Sequence, residues 1–151
     1  MASGDPIRVF VTHAWQESDD YLRVFEYLES ARNFRYFNCS APAHRPDAKV
    51  VDAERDELRR QISTSEAVIA LSSLIATDRA LLHFEINFAK SIDKPVIMLP
   101  SFGSELALPA EFRGLADENS AWDERAIVDA LKRQARHQES TRWDTIEFKP
   151  D

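Results

Sequence analysis

The stretch EAVIALSSLIATDRALLHFEINFAKSIDKPVIML, residues 66–99, decides the fold. Residues 66–71 are a short apolar run with β-branched members, too short for a helix of their own and suited to a buried strand. Asp78 is placed to cap a helix over residues 79–92. Lys94-Pro95 closes that helix, because proline lacks a backbone donor and its ring crowds the preceding turn. Residues 96–99 read as a second buried strand. Two apolar strands joined by a helical crossover of this length predict a parallel βαβ unit.

Inside the helix, at roughly 100° per residue, Leu81, Leu82, Ile86, Phe88, Ala89 and Ile92 share one face, with His83, Asn87 and Lys90 opposite. Glu85 falls in the middle of the apolar face. Taking an ionised carboxylate out of water costs several kcal/mol unless partners or a wet cleft compensate. Two readings follow. Glu85 is a functional carboxylate in a cleft, or its carboxylate escapes to solvent at the end of the sheet or pairs with an arginine.

Outward from this unit, residues 7–12 (IRVFVT) read as the first strand, running into His13-Ala14-Trp15-Gln16. Ser18 or Asp19 caps a helix reaching to about Asn33, with Tyr21, Leu22, Phe25 and Leu28 at helical spacing. Residues 35–39 are a second strand and residues 41–51, with Pro42 and Pro46, a loop. Residues 52–64 form a charged helix that offers only Leu58 and Ile62 to the core. After Pro100, Leu106, Leu108 and Phe112 anchor an otherwise irregular segment. A fifth strand is expected near residues 120–122. Asp123 caps a last helix over residues 124–137, with Ile127, Val128 and Leu131 inward. The domain thus spans 1–137. The tail, 138–151, is polar apart from Trp143, Ile146 and Phe148, which are expected to fold back or meet a partner.

Alternating strands and helices predict an α/β, flavodoxin-like three-layer domain with a five-stranded parallel sheet in the order 2-1-3-4-5. The topological switch then lies between strands one and three, and ligands bind outside the carboxyl ends of the strands there. Thr12, His13 and Trp15 follow the first of these strands and Ser72 and Ser73 the other. Topology brings both groups toward Glu85.

The whole chain narrows the classes. Its 151 residues suit one domain, and 44% hydrophobic with 30% charged residues is ordinary for a globular protein. A net charge of −7 without a basic block argues against a nucleic-acid partner. No apolar run has the length of a membrane span and the N-terminus has no signal-peptide core, so no membrane partner and a cytoplasmic location are expected. The single cysteine, Cys39, cannot form an internal disulfide and reads as a small buried hydrophobe. No Cys/His spacing suggests a metal. Only three glycines occur, too few for a dinucleotide-binding GxGxxG loop or a Walker A loop. A phosphoryl receiver needs an Asp at the end of strand three, where this chain has Leu71-Ser72. Thr-His-Ala-Trp poorly matches a flavin-phosphate loop.

Four segments resemble bacterial TIR-like domains: VFVTHAW (9–15), FNCSAP (37–42), QISTSEAVIALS (61–72) and FEINFAKSIDKPVI (84–97). The resemblance covers about residues 7–131 and is nearest to the type found in Thoeris anti-phage defence. It implies an NAD+-cleaving enzyme that breaks the nicotinamide–ribose bond, with Glu85 as the catalytic carboxylate. NAD+ would be the substrate, and neither cofactor nor metal is implied. The product would be an ADP-ribose-derived, cyclic signalling nucleotide read by a product-sensing effector protein. Self-association or a phage-derived trigger would control it, and basal turnover would be low. One position departs from the pattern: many TIR domains have Trp four residues before that Glu, and here Leu81 stands there.

The chemistry fits these residue types. Nicotinamide leaves as a neutral pyridine, so the site needs no general acid for it. It must orient the ribose and stabilise an oxocarbenium-like centre, as carboxylates do in glycoside hydrolysis. Trp15 or Phe84 could stack on a ring. Thr12 and His13 could meet ribose or phosphate, Asn38 and Ser40 the mouth, and Ser72, Ser73 and Arg79 the phosphates. Each has a plainer reading as a core aromatic, a strand-end histidine, turn chemistry or a surface arginine. Two other functions stay open: a nucleoside deoxyribosyltransferase-like hydrolase, and a TIR-type interaction module without catalysis.

Overall fold

The computed structural model describes residues 5–104 and 107–137. Leu106 and the tail with Trp143, Ile146 and Phe148 lie outside them. β1 (Ile7–Val11), β2 (Tyr36–Asn38), β3 (Ala67–Leu71), β4 (Val96–Leu99) and β5 (Glu118–Asn119) form one sheet in the order β2-β1-β3-β4-β5. Every pairing is parallel. Among the described residues four α-helices complete the fold: α1 (Asp19–Ser30), α2 (Ala53–Ser63), α3 (Leu74–Ser91) and α4 (Glu124–Arg136). α1 packs against α4 and α2 against α3, which puts a helical layer on each face of the sheet. This is the flavodoxin-like α/β arrangement that the alternation of elements predicts.

The sheet's centre is apolar because it is covered on both sides. Every residue of β3 and β4 is buried, the pattern of a parallel strand beneath helices on each face. β2 is an edge strand and Phe37 on it is 61% exposed. It forms over three residues rather than the five that the sequence suggests. Leu58, Ile62, Phe112, Ile127, Val128 and Leu131 all enter the core, and Leu108 packs against it.

Local chemistry sets the helix boundaries. Ser18 caps α1 by accepting the Tyr21 N–H at 3.2 Å. The helix stops at Ser30, short of Asn33, because Ala31 turns extended (ψ 135°) and Asn33 adopts φ 56°. In α3 the carboxylate of Asp78 accepts the Leu81 N–H at 3.1 Å, capping the part that follows, as the spacing predicts. One extra turn, starting at Leu74, precedes this cap, and Asp78 itself (φ −157°, ψ 83°) breaks the helix between the two parts. The fifth strand falls at Glu118–Asn119, not at 120–122. Asp117 fixes that register: its N–H donates to Val96 O at 2.8 Å and its carboxylate accepts the Val96 N–H at 2.8 Å. Trp122 is left outside the strand, where its indole donates to Pro100 O at 2.7 Å. Asp123 caps α4 through Ala126 N.

The register of the two inner strands positions the site. Val11 of β1 stands beside Ile69 of β3, and Thr12 N–H donates to Ile69 O at 3.0 Å. Fully buried Thr12 also accepts the Leu71 N–H on its hydroxyl at 2.9 Å. β1 therefore ends two residues short of the end of β3, and Thr12 and His13 carry the chain out of the sheet alongside the last residues of β3.

Candidate active site

Glu85 is completely buried, 0% exposed, and its Oε1 accepts the His13 backbone N–H at 3.0 Å. The parallel sheet ends at His13, so no neighbouring strand offers that N–H an acceptor, and the carboxyl supplies one. The other oxygen, Oε2, is buried without a hydrogen-bond partner. Burial pushes the Glu85 pKa well above the ordinary carboxylate range; the His13 N–H opposes that shift and the nearby charge of Asp78 adds to it. The group is held at the carboxyl end of β1, on the side of the switch point, but closed off from solvent rather than in an open cleft.

His13 is itself 1% exposed, and two backbone donors define its state. Trp15 N–H donates to Nδ1 at 3.1 Å. A backbone N–H can only donate, so Nδ1 carries no proton and the neutral ring holds its proton on Nε2. That Nε2–H donates to Gln61 Oε1 at 3.0 Å. The identity of this amide oxygen follows in the same way, because Ala41 N–H donates to it at 2.9 Å. Burial lowers the His13 pKa, against the pull of the Gln61 bond, so the ring is neutral. The short closure between His13 and Trp15 holds Trp15 at φ 67°, a conformation uncommon for a bulky side chain. The Trp15 indole is 8% exposed, edge-on to His13 with centroids 5.0 Å apart, and its Nε1–H has no partner.

The other predicted site residues divide into three places. Asn38 and Ser40 bond to each other, Asn38 accepting both the Ser40 N–H at 2.9 Å and the Ser40 hydroxyl. Both also bond the Tyr21 hydroxyl, Ser40 at 2.9 Å and Asn38 at 3.2 Å. Tyr21 meets His13 edge-on at 6.4 Å, so this cluster adjoins the imidazole. Ser72, Ser73 and Arg79 line a separate cavity of about 320 Å³ together with Ser101 and Leu108. Ser73 Oγ is buried and unpartnered there, and Arg79 is ion-paired with Glu111 at 2.8 Å. Phe84 goes elsewhere: it stacks on Phe88 with centroids 6.3 Å apart, under the guanidinium groups of Arg55 and Arg59 from α2. The structure thus joins Glu85, His13, Thr12 and Trp15, sets Asn38 and Ser40 beside them, and holds Phe84 and Arg79 in other contacts. Cys39 is half-buried, its thiol against Thr64 O at 3.6 Å, and burial raises its pKa.

Gln61 is the site residue that sequence reading missed. It lies between Leu58 and Ile62 on the inward face of α2 and is 1% exposed. A polar amide at that spacing was the available signal. Tyr21, read only as a core aromatic, contributes its hydroxyl as well. Among the described residues no group of three or more His, Cys, Asp or Glu could hold a metal ion, and no helix is long and apolar enough to cross a membrane. No family model matches the chain, and a search of curated proteins finds no match.

Chemically, the arrangement offers one carboxyl group in a nearly waterless setting, held by a single donor and with one oxygen open. Such a group is the conjugate of a strong base. A cation brought against it would restore the carboxylate, since an opposite charge nearby favours ionisation.

Proposed function

We propose that this protein cleaves the bond between nicotinamide and ribose in NAD+, with Glu85 stabilising the ribosyl cation. The observation that carries this reading is the fully buried Glu85 carboxyl, held through Oε1 by His13 N–H while Oε2 has no partner. The nicotinamide ring of NAD+ bears a positive charge, which complements a carboxyl that lacks any cationic partner. Bond breaking moves that charge to the ribosyl carbon, and a carboxylate in a dry site stabilises it more strongly than water does. Water, or a nucleophile within the same molecule, then captures the ribosyl centre. Capture from within yields a cyclic ADP-ribose-type product, which a second protein could read as a signal in anti-phage defence. Because Glu85 is closed off, the loops after β1 and β3 must open before substrate reaches it, and this supports low basal turnover and activation by assembly or a trigger.

The same burial favours a second reading, in which Glu85 only pins the β1–α1 loop and the domain is a non-catalytic interaction module. Incubation with NAD+ and with deoxynucleosides, followed by chromatography and mass spectrometry, separates the readings. Slow nicotinamide release that falls at least about a hundredfold in Glu85→Gln is expected. A Glu85→Gln variant as active as wild type refutes the role of Glu85. Release of free base from deoxynucleosides alone points to a deoxyribosyltransferase-like enzyme. No turnover in any condition, including infected-cell extract, leaves the interaction module.

A further inference from the structure

Gln61 is a buried polar group with every hydrogen-bonding position in use. Its Oε1 accepts from His13 Nε2 at 3.0 Å and from Ala41 N at 2.9 Å. Its Nε2 donates to Ala41 O at 3.3 Å and to Glu57 Oε2 at 3.0 Å. Three of these bonds tie α2 to the segment after β2 and to the segment after β1, and the fourth, to Glu57, stays within α2. A glutamine confined this fully cannot turn its amide over, because the Ala41 N–H and C=O each demand the opposite end.

We infer that Gln61 is a positioning residue: it fixes the imidazole of His13 with its proton on Nε2, and through that ring it holds the backbone amide that binds Glu85. The chain of contacts is short. The Gln61 oxygen keeps the proton on His13 Nε2, which leaves Nδ1 free to accept the Trp15 N–H. That acceptance folds residues 13–15 into the bend with Trp15 at φ 67°. The bend aims the His13 N–H at Glu85 Oε1. With the proton moved to Nδ1, the Trp15 N–H would face another donor and the bend would lose its closure. Gln61 touches none of the reacting atoms and acts only through His13.

The inference deepens the NAD+ reading, but its first test does not depend on it. In ¹⁵N-resolved spectra of the whole chain, wild-type His13 should show a protonated Nε2, an unprotonated Nδ1 and a slowly exchanging backbone amide. Gln61→Met keeps the volume and removes all four bonds. It should give a mixture of His13 tautomers and an amide that exchanges at least about tenfold faster. Gln61→Glu keeps an acceptor for His13 and Ala41, so it should retain the Nε2 proton and raise the pH at which the ring titrates. The titratable groups that bear on that ring are Glu85 from α3, Glu57 behind Gln61 on α2, and Tyr21 from α1. If wild type turns over NAD+, kcat in Gln61→Met should fall by about a hundredfold, as displacing a catalytic group by an ångström does, with KM changed less than about threefold. A single Nε2-protonated tautomer and an unchanged amide in Gln61→Met overturn the inference, whatever the enzyme does. Should Gln61→Met fail to fold, a Gln61→Glu chain that has lost the Nε2 proton overturns it instead. Absence of NAD+ turnover in wild type counts against the enzymatic reading alone and leaves the two spectroscopic results to decide the role of Gln61.

Discussion

Replacing Glu85 by glutamine takes one titratable proton out of the core and keeps the shape of the side chain, so the change reads out the state of that group. The amide oxygen can still accept the His13 N–H, and an amide nitrogen replaces the oxygen that has no partner. In the unfolded chain a glutamic acid loses its proton near pH 4.3. In the native protein burial holds the proton to a higher pH. Between the unfolded value and the higher folded one the native state therefore binds more protons than the unfolded state, by at most one, and raising the pH favours unfolding. Linkage sets the slope at about 1.4 kcal/mol per pH unit. Stability that the protonated group contributes is fully present below the unfolded pKa and is lost as the pH climbs toward the folded one. Urea unfolding of both chains at pH 5 and pH 6 measures this. The stability of wild type minus that of Glu85→Gln should drop across the interval by up to about 1.4 kcal/mol, equivalent to a change of up to about 5 °C in the difference between melting temperatures. Carboxylates held low by arginines, Glu57 by Arg60 and Glu66 by Arg136, are present in both chains and cancel in the difference. Parallel pH curves for the two proteins would show that Glu85 ionises normally in the folded state, and the account of a buried, protonated carboxyl would fail.

Two further changes probe the frame around this group. Thr12→Val keeps the side-chain shape but strands the Leu71 N–H, whose buried bond to Thr12 Oγ1 is 2.9 Å long, and should cost about 1–3 kcal/mol in urea unfolding; a cost below about 0.5 kcal/mol would mean that the N–H finds another acceptor. Trp15→Phe removes an indole N–H that has no partner together with part of a nearly buried ring, so its cost in urea unfolding should be that of the lost packing alone, about 1–3 kcal/mol. A loss beyond about 5 kcal/mol would show that a bond of the indole nitrogen goes with it.

The parts of the fold that were legible in sequence are those where one pattern dominates. The run from Ala67 to Leu71 and the run from Val96 to Leu99 are apolar at every position, because helices cover both faces of these strands. Their crossover predicts a parallel βαβ unit, and the helical repeat puts Glu85 in the apolar face of α3. β5 was misplaced because its two residues are set by what Asp117 bonds on β4, a contact between distant parts of the chain that leaves no periodic trace. The turn starting at Leu74 leaves no separate signal in the sequence, because Asp78 caps the part of α3 that follows it. Phe84 is expected to stack on a substrate ring, but one residue along a helix from Glu85 turns the side chain by roughly 100°, here toward α2. Gln61 gives a weak signal because a lone polar residue between Leu58 and Ile62 does not alter the apolar repeat of α2.

The place of α4 in the layers has a consequence for the way this protein is made. Among the described helices α4 shares its face of the sheet with α1, and it covers β1, β3 and β4 through Ile127, Val128, Ala130 and Leu131. A ribosome delivers β1, β3 and β4 before any of these four residues exists. Until then the growing chain carries a strip of bare valine, isoleucine and leucine along the middle of its sheet, the kind of surface that chaperones hold and that promotes clumping of nascent chains. Closure of this face thus waits for α4, and a message truncated between Asn119 and Glu124 would encode all five described strands yet yield a product fit mainly for degradation.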